Sequence, residues 1–232
     1  AKLSGVRAFQ AACLRGDEAA ARALVAADPG LLAKPAPLIA AAEFGNAPAV
    51  ALLLSLGASP GNLGKNGISP LHRAAQSGSL EAVNLLVAAG ADVDLHEQQW
   101  NGTPLSWAVM LGNPHIAERL APLSRDVRTL GYMGQLERLE TVLRAEPERA
   151  NDALPDDEGP TPLFILPGDP ELAAAVVRIL LAHGADPRWK NAKGRTPIDI
   201  AREFDLDEAA DLMEGSRDTL RHVPRLRSGR TG

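Results

Sequence analysis

Five heptapeptides in this chain carry proline in second place and fall in step. They read APLIAAA at 36–42, SPLHRAA at 69–75, TPLSWAV at 103–109, TPLFILP at 161–167 and TPIDIAR at 196–202. Their prolines, Pro37, Pro70, Pro104, Pro162 and Pro197, are separated by 33, 34, 58 and 35 residues. Glycine stands eight residues after the first three, at Gly45, Gly78 and Gly112. A closing triplet recurs as Gly57-Ala58-Ser59, Gly90-Ala91-Asp92 and Gly184-Ala185-Asp186. Three markers in one phase make the chain an array of a single unit. A unit this short buries its apolar face only against its neighbours, so the array must stack.

Each marker has a physical role. Ser69 and Thr103 are helix N-caps through their hydroxyls, and the proline behind each sits at the first helical position, where its missing N–H does no harm. Gly78 and Gly112 end that helix in a left-handed turn. Leu80, Val83, Leu85, Leu86 and Val87 then give a second helix one apolar face and a flank, and Gly90 stops it. Each unit is a helix–turn–helix followed by an extended finger. Apolar residues make up 45% of the chain but aromatics only 3%, so alanine and leucine carry the burial. Closely packed helices suit that profile better than a β-sandwich does.

The pattern resembles the ankyrin repeat family, whose signature joins a period of about 33 residues to Thr-Pro-Leu-His-x-Ala-Ala and a Gly-Ala-Asp ending. Ser69–Ala75 matches six of the seven signature positions when serine is allowed for threonine. The resemblance covers roughly residues 5 to 214 and implies an all-α fold, an ankyrin-type α-solenoid of about seven helix–turn–helix units with short finger loops. The units begin near Val6, Pro37, Pro70, Pro104, Asp126, Pro162 and Pro197. The repeat domain is expected over 1–215, with its first, fifth and last units degenerate. A basic tail over 216–232 carries Arg217, Arg221, Arg225, Arg227 and Arg230. The fifth unit keeps Gly134, Leu136, Leu139, Val142 and Leu143 but lacks a Thr-Pro opening. Gly134 follows Gly112 by only 22 residues, so the finger between them is deleted or very short. In the sixth unit, Pro167 and Pro170 fall where the first helix should finish, which predicts a short helix and a longer loop.

Candidate chemistry thins out against this pattern. In ankyrin units a histidine at the place of His72 ties one finger to its neighbour by hydrogen bonds, and the resemblance implies that here. The equivalent positions are Ile39, Ser106, Phe164 and Asp199, so the copies share no reaction. His96, His115, His183 and His222 show no metal-ligand spacing, and the single Cys13 supplies neither a zinc cluster nor a disulfide framework. The glycine-rich stretch Gly57–Gly67 lacks a Walker-type ending. No catalytic, cofactor or metal residue is assigned, and the chain is not expected to be an enzyme. The acidic run Asp156-Asp157-Glu158, with Asp152, reads as an exposed finger, either simply solvated or available to a cation or a basic partner.

What remains is binding. A net charge of −5 argues against a nucleic-acid partner, and no apolar run approaches the length of a membrane span. The expected partner is another protein, with no nucleic acid and no membrane, bound by a monomer in the reducing cytoplasm. Abundant alanine, arginine and glycine point to a bacterial source. The chain starts at Ala1 rather than Met, which leaves a removed signal or a trimmed start open. In ankyrin arrays, finger tips and variable first-helix positions line the concave groove. That map assigns Glu43, Phe44, Arg73, Gln76, Ser77, Trp107, Met110 and Leu111 to the groove. The finger residues Lys65, Asn66, Gln98, Gln99 and Trp100 lie beside them, and Trp189 sits in a later finger. Trp107 is either a groove anchor or a packing residue under the neighbouring finger. The expected function is a non-enzymatic protein–protein interaction module. The alternatives are an inhibitor or immunity-type protein that blocks a partner enzyme, and the targeting domain of a larger enzyme.

Overall fold

The computed structural model describes residues 5–153 and 160–220, with the side chains of 217–220 left aside. The acidic run Asp156-Asp157-Glu158 and the tail arginines from Arg221 onward lie outside the described residues. The seven expected units are all present. Their helix pairs are α1 (Gly5–Leu14) with α2 (Glu18–Ala27), α3 (Pro35–Glu43) with α4 (Ala47–Ser55), α5 (Pro70–Ser77) with α6 (Leu80–Ala88), and α7 (Pro104–Met110) with α8 (Pro114–Leu120). They continue with α9 (Val127–Tyr132) and α10 (Leu136–Ala145), then a single 3-10 turn (Pro162–Phe164) before α11 (Pro170–Ala182), and finally α12 (Pro197–Glu203) with α13 (Asp207–Leu220). No strand occurs among the described residues. The helices group into two compact units, Ala1–Asp126 and Val127–Gly232, and the division falls where the fifth repeat lacks its finger.

In the first unit the sequence markers act as their chemistry predicts. Ser69 and Thr103 accept the N–H groups of His72 and Ser106 at 3.3 and 3.1 Å, closing the first turns of α5 and α7. Gly78 ends α5 with φ +73°, a conformation that a Cβ would disfavour. First helices pack on first helices, α1 on α3, α3 on α5 and α5 on α7. These helices bury Ala41, Ala42, Ala74, Ala75 and Ala108 together with Leu38, Leu71 and Leu105. Methyl side chains let these helices approach closely, so a larger residue here overpacks the contact by about 1–3 kcal/mol. The second helices bury Val50, Leu53, Val83, Leu86, Ile116 and Leu120. Each such leucine contributes about 1.5–3 kcal/mol, and Leu86→Ala alone is expected to remove about 2–5 kcal/mol.

Between α8 and the end of this unit, a short link stands in for the missing finger. Ser124 Oγ and the Arg125 N–H donate to Asp94 Oδ1 at 2.7 and 2.8 Å. Thr103 Oγ1 donates to the buried carboxylate of Asp126 at 2.8 Å. Side chains therefore supply the anchoring that a backbone finger supplies elsewhere.

The second unit departs from the pattern where proline requires it. Pro167 and Pro170 leave room for only the turn at Pro162–Phe164. The Asp169 carboxylate then accepts the Leu172 N–H at 2.8 Å and starts α11. α11 and α12 both pack on α13. This last helix runs through Leu220, past the expected end of the repeat domain at 215.

Candidate functional site

The ends of the first helices in the first unit carry large apolar side chains that the fold leaves uncovered. Phe44 is 70% exposed and Met110 77% exposed, and Leu111 beside Met110 is exposed as well. Glu43, Gln76 and Ser77 fill the equivalent places between them and are also exposed. Arg73 links the row, since its guanidinium lies 3.6 Å from Glu43 on α3, donates to Gln76 at 2.6 Å, and sits 5.7 Å from the Trp107 ring of α7. Exposed ion pairs of this kind add at most about 1 kcal/mol, so the row is held by the helices beneath rather than by its own contacts.

Two fingers flank the row and are joined to each other. The Gln98 N–H donates to the Asn66 carbonyl at 2.7 Å, and Asn66 Nδ2 donates to Gln99 Oε1 at 3.2 Å. Lys65 is exposed at the tip of the first of these fingers. Trp100 projects from the second, 62% exposed, with its ring centroid 6.2 Å from that of Trp107.

Trp107 itself is no surface anchor. It is only 7% exposed, and this decides between the two roles open to it in favour of packing. Its ring meets His72 edge-on at 5.2 Å and lies beneath the finger that carries Trp100. A Cβ on Gly102 would stand 2.9 Å from the Trp107 ring, so the absence of a side chain at Gly102 is what lets the finger settle over it. Trp189, the remaining tryptophan assigned to binding, belongs to the second unit. It is half-buried, with its indole Nε1 enclosed and without a hydrogen-bond partner among the described residues.

His72 occupies the structural role its position implied. Its side chain is fully buried, with Nδ1 2.8 Å from Ser69 Oγ and Nε2 3.1 Å from the Gly102 carbonyl oxygen. Burial lowers its pKa from the ordinary 6.5, with the Gly102 carbonyl and the Glu97 charge opposing that shift. Cys13 is buried, and burial pushes its thiol up to about 11, which leaves it a thiol and not a nucleophile. Among the described residues, no group of three His, Cys, Asp or Glu side chains is placed to hold a metal ion.

Two features escaped the sequence reading. The second unit repeats the apolar signature, with Phe204 exposed seven residues after Pro197, as Phe44 follows Pro37 and Leu111 follows Pro104. Tyr132 is exposed at the end of α9. The repeat phase alone would have located Phe204. Glu97 is the other omission, a carboxylate inside the Trp100 finger that is 1% exposed. Glutamate in a loop carries no sequence signal for burial.

Residues 8–97 match the family model of ankyrin repeats, in three copies. Over that stretch the chain is built of ankyrin repeats. It is 33% identical over 87 residues to an ankyrin repeat-containing protein of Saccharomyces cerevisiae, a match covering 36% of this chain and 48% of that protein. It is 30% identical over 204 residues to NF-kappa-B inhibitor delta of Mus musculus, covering 72% of this chain and 62% of that protein. The chain thus spans less than two thirds of the length of either relative. Among solved structures, a chain from the complex of a predatory endopeptidase with its immunity protein, from Bdellovibrio bacteriovorus, shares the fold. Its TM-score is 0.52 at 24% identity, covering 77% of this chain and 96% of that one. Ankyrin repeats are protein-interaction modules. No helix among the described residues is long and apolar enough to cross a membrane.

Proposed function

We propose that this ankyrin array is a non-enzymatic module that binds a partner protein through the first-helix ends and finger tips of its first unit. The observation that carries this reading is the uncovered apolar row of Phe44, Met110 and Leu111, flanked by exposed Trp100. Large apolar side chains held outward at matching repeat positions contribute nothing to the core, and such clusters mark contact surfaces. Lys65, Asn66, Gln76, Ser77, Gln98 and Gln99 form the polar rim. The partner is protein rather than nucleic acid, and the module acts as a monomer in the cytoplasm. A second reading, in which binding blocks the partner's activity, draws support from the relative that carries the name of an inhibitor.

The test compares capture by three chains under identical conditions. The wild type and Leu80→Ser, a control at an exposed position on α6, are expected to retrieve the same protein. The double variant Phe44→Ser/Met110→Ser is expected to lose it while keeping its melting temperature within about 2–4 °C, since exposed positions add little stability. Equal capture by the double variant defeats the proposal.

A further inference from the structure

The finger that carries Trp100 is closed around a buried carboxylate. Glu97 Oε2 accepts the Gln99 N–H at 2.6 Å, and Oε1 accepts the N–H groups of Trp100 and Gly102 at 2.8 and 3.1 Å. The Glu97 N–H in turn donates to the Gly102 carbonyl at 3.1 Å. Burying a carboxylate is strongly unfavourable unless its charge is met, and here three backbone donors converge on it.

Two other fingers show what is specific to this one. In the first unit, the Gly64 N–H donates to the Ile68 carbonyl at 2.9 Å, a step of four residues, and Gly64 has no side chain to place inside. In the second unit, the Asn191 N–H donates to the Arg195 carbonyl at 2.9 Å, again four residues on. Asn191 Oδ1 accepts the N–H groups of Lys193 and Arg195 at 3.0 and 3.1 Å. The 97–102 finger spans five residues between the same two bonding positions, one more than either counterpart. Where the loop gains a residue, the acceptor side chain gains a methylene, from asparagine to glutamate. Asn101 is left-handed at φ +52°, as Gly67 and Gly194 are at +73° in the same place of the shorter fingers, and what the longer loop adds is Trp100, projecting into solvent.

We infer that Glu97 is a positioning residue whose carboxylate is matched in length to the enlarged finger and fixes the backbone that holds Trp100 outward. A rigid, pre-shaped loop loses less freedom on binding, so Glu97 serves the interaction without touching the partner. The inference rests on the binding reading above for its purpose, but not for its geometry.

Hydrogen exchange on the free chain tests it, comparing the wild type, Glu97→Asp, Glu97→Gln, and Glu97→Asp with Trp100 deleted. Glu97→Asp leaves the acceptor too short, and Glu97→Gln replaces one acceptor oxygen by a donor. Both are expected to speed exchange across 98–102 by about tenfold or more, with α6 unchanged. Removing Trp100 restores a four-residue step, which suits aspartate, so the combined variant is expected to return to within about threefold of the wild type. Wild-type exchange in Glu97→Asp, no recovery in the combined variant, or equal loss of protection throughout α6 overturns the inference. Because the readout needs no partner, a protected finger with failed capture counts against the binding reading alone.

Discussion

The Nε2 atom of His72 lies 3.1 Å from the carbonyl oxygen of Gly102, thirty residues on in the next finger. The other ring nitrogen, Nδ1, accepts the Ser69 N–H at 3.3 Å at the start of its own helix. One imidazole therefore spans a helix cap and the adjacent finger, and it does so as the neutral ring, donating from Nε2 and accepting at Nδ1. Protonation would turn Nδ1 into a donor toward Ser69 Oγ and take the acceptor away from the Ser69 N–H, in a site closed to water. Removing the ring strands both partners, so His72→Ala is expected to destabilise the first unit by about 2–4 kcal/mol in urea denaturation.

The same geometry gives the first unit a pH dependence. His72 has a folded-state pKa below its ordinary 6.5, so the unfolded chain binds more protons. Its contribution is complete above about 6.5 and is lost as the pH falls from there toward the folded value. Glu97, His96 and Arg73 surround this group. Glu97 acts in the same direction at lower pH. Burial raises its carboxyl, but the N–H groups of Gly102, Gln99 and Trp100 outweigh that and hold it below 4.5, so its contribution fades as the pH drops through that lowered value. The wild type should lose stability between pH 7 and pH 5.5, and His72→Gln should show a flatter profile over that range. Parallel profiles would show that His72 does not titrate as its burial requires.

Trp107 and Trp100 lie in contact yet should respond oppositely to truncation. Trp107 is buried under the finger, so Trp107→Ala leaves a cavity worth about 3–5 kcal/mol. Trp100 is largely exposed, so Trp100→Ala is expected to change stability by less than about 1 kcal/mol and to weaken partner capture instead. Thermal melts and capture assays on the two variants give a crossed pattern. A Trp107→Ala chain that melts like the wild type contradicts the packing seen here.

Much of this array was legible from Pro37, Pro70, Pro104, Pro162 and Pro197, because repeat phase transmits along the chain without knowledge of distant contacts. The short sixth first helix followed from Pro167 and Pro170, and the role of His72 followed from its place in the repeat. Exposure at Phe44 and Met110 was likewise set by phase. Trp107 was not decidable in this way. Its burial depends on Gly102 having no side chain and on the course of a finger one residue longer than its counterparts, a tertiary fact. Glu97 was hidden for the same reason, since only the closed loop brings the Gln99, Trp100 and Gly102 N–H groups to its carboxylate.

Asp205 offers a stabilising change. It has φ +57°, at the place where earlier repeats put Gly45, Gly78, Gly112 and Gly134, all left-handed. Aspartate tolerates that region better than most residues but still bears a Cβ penalty that glycine escapes. Asp205→Gly is expected to stabilise the second unit by about 0.5–1 kcal/mol, and Asp205→Ala to destabilise it by a similar amount. Chemical denaturation of both variants checks the order, and a less stable Asp205→Gly would show that the aspartate side chain contributes more than the backbone strain removes.

The deleted finger before the fifth repeat predicts how the chain unfolds. A solenoid's stability is close to a sum over units and their nearest-neighbour contacts, so a break in the pattern localises weakness. The division into compact units falls between Asp126 and Val127, where α9 opens on Asp-Val in place of the Thr-Pro pair of other repeats. α9 has only six residues, which leaves few internal hydrogen bonds to hold Thr129–Gly134 closed. α6, with Val83 and Leu86 fully buried, is the opposite case. Denaturation is therefore expected in two steps, and amides over 129–134 should exchange faster than those over 80–87. A single cooperative transition with equal protection in both segments would mean that the side-chain link through Asp94, Ser124 and Arg125 replaces the missing finger in full.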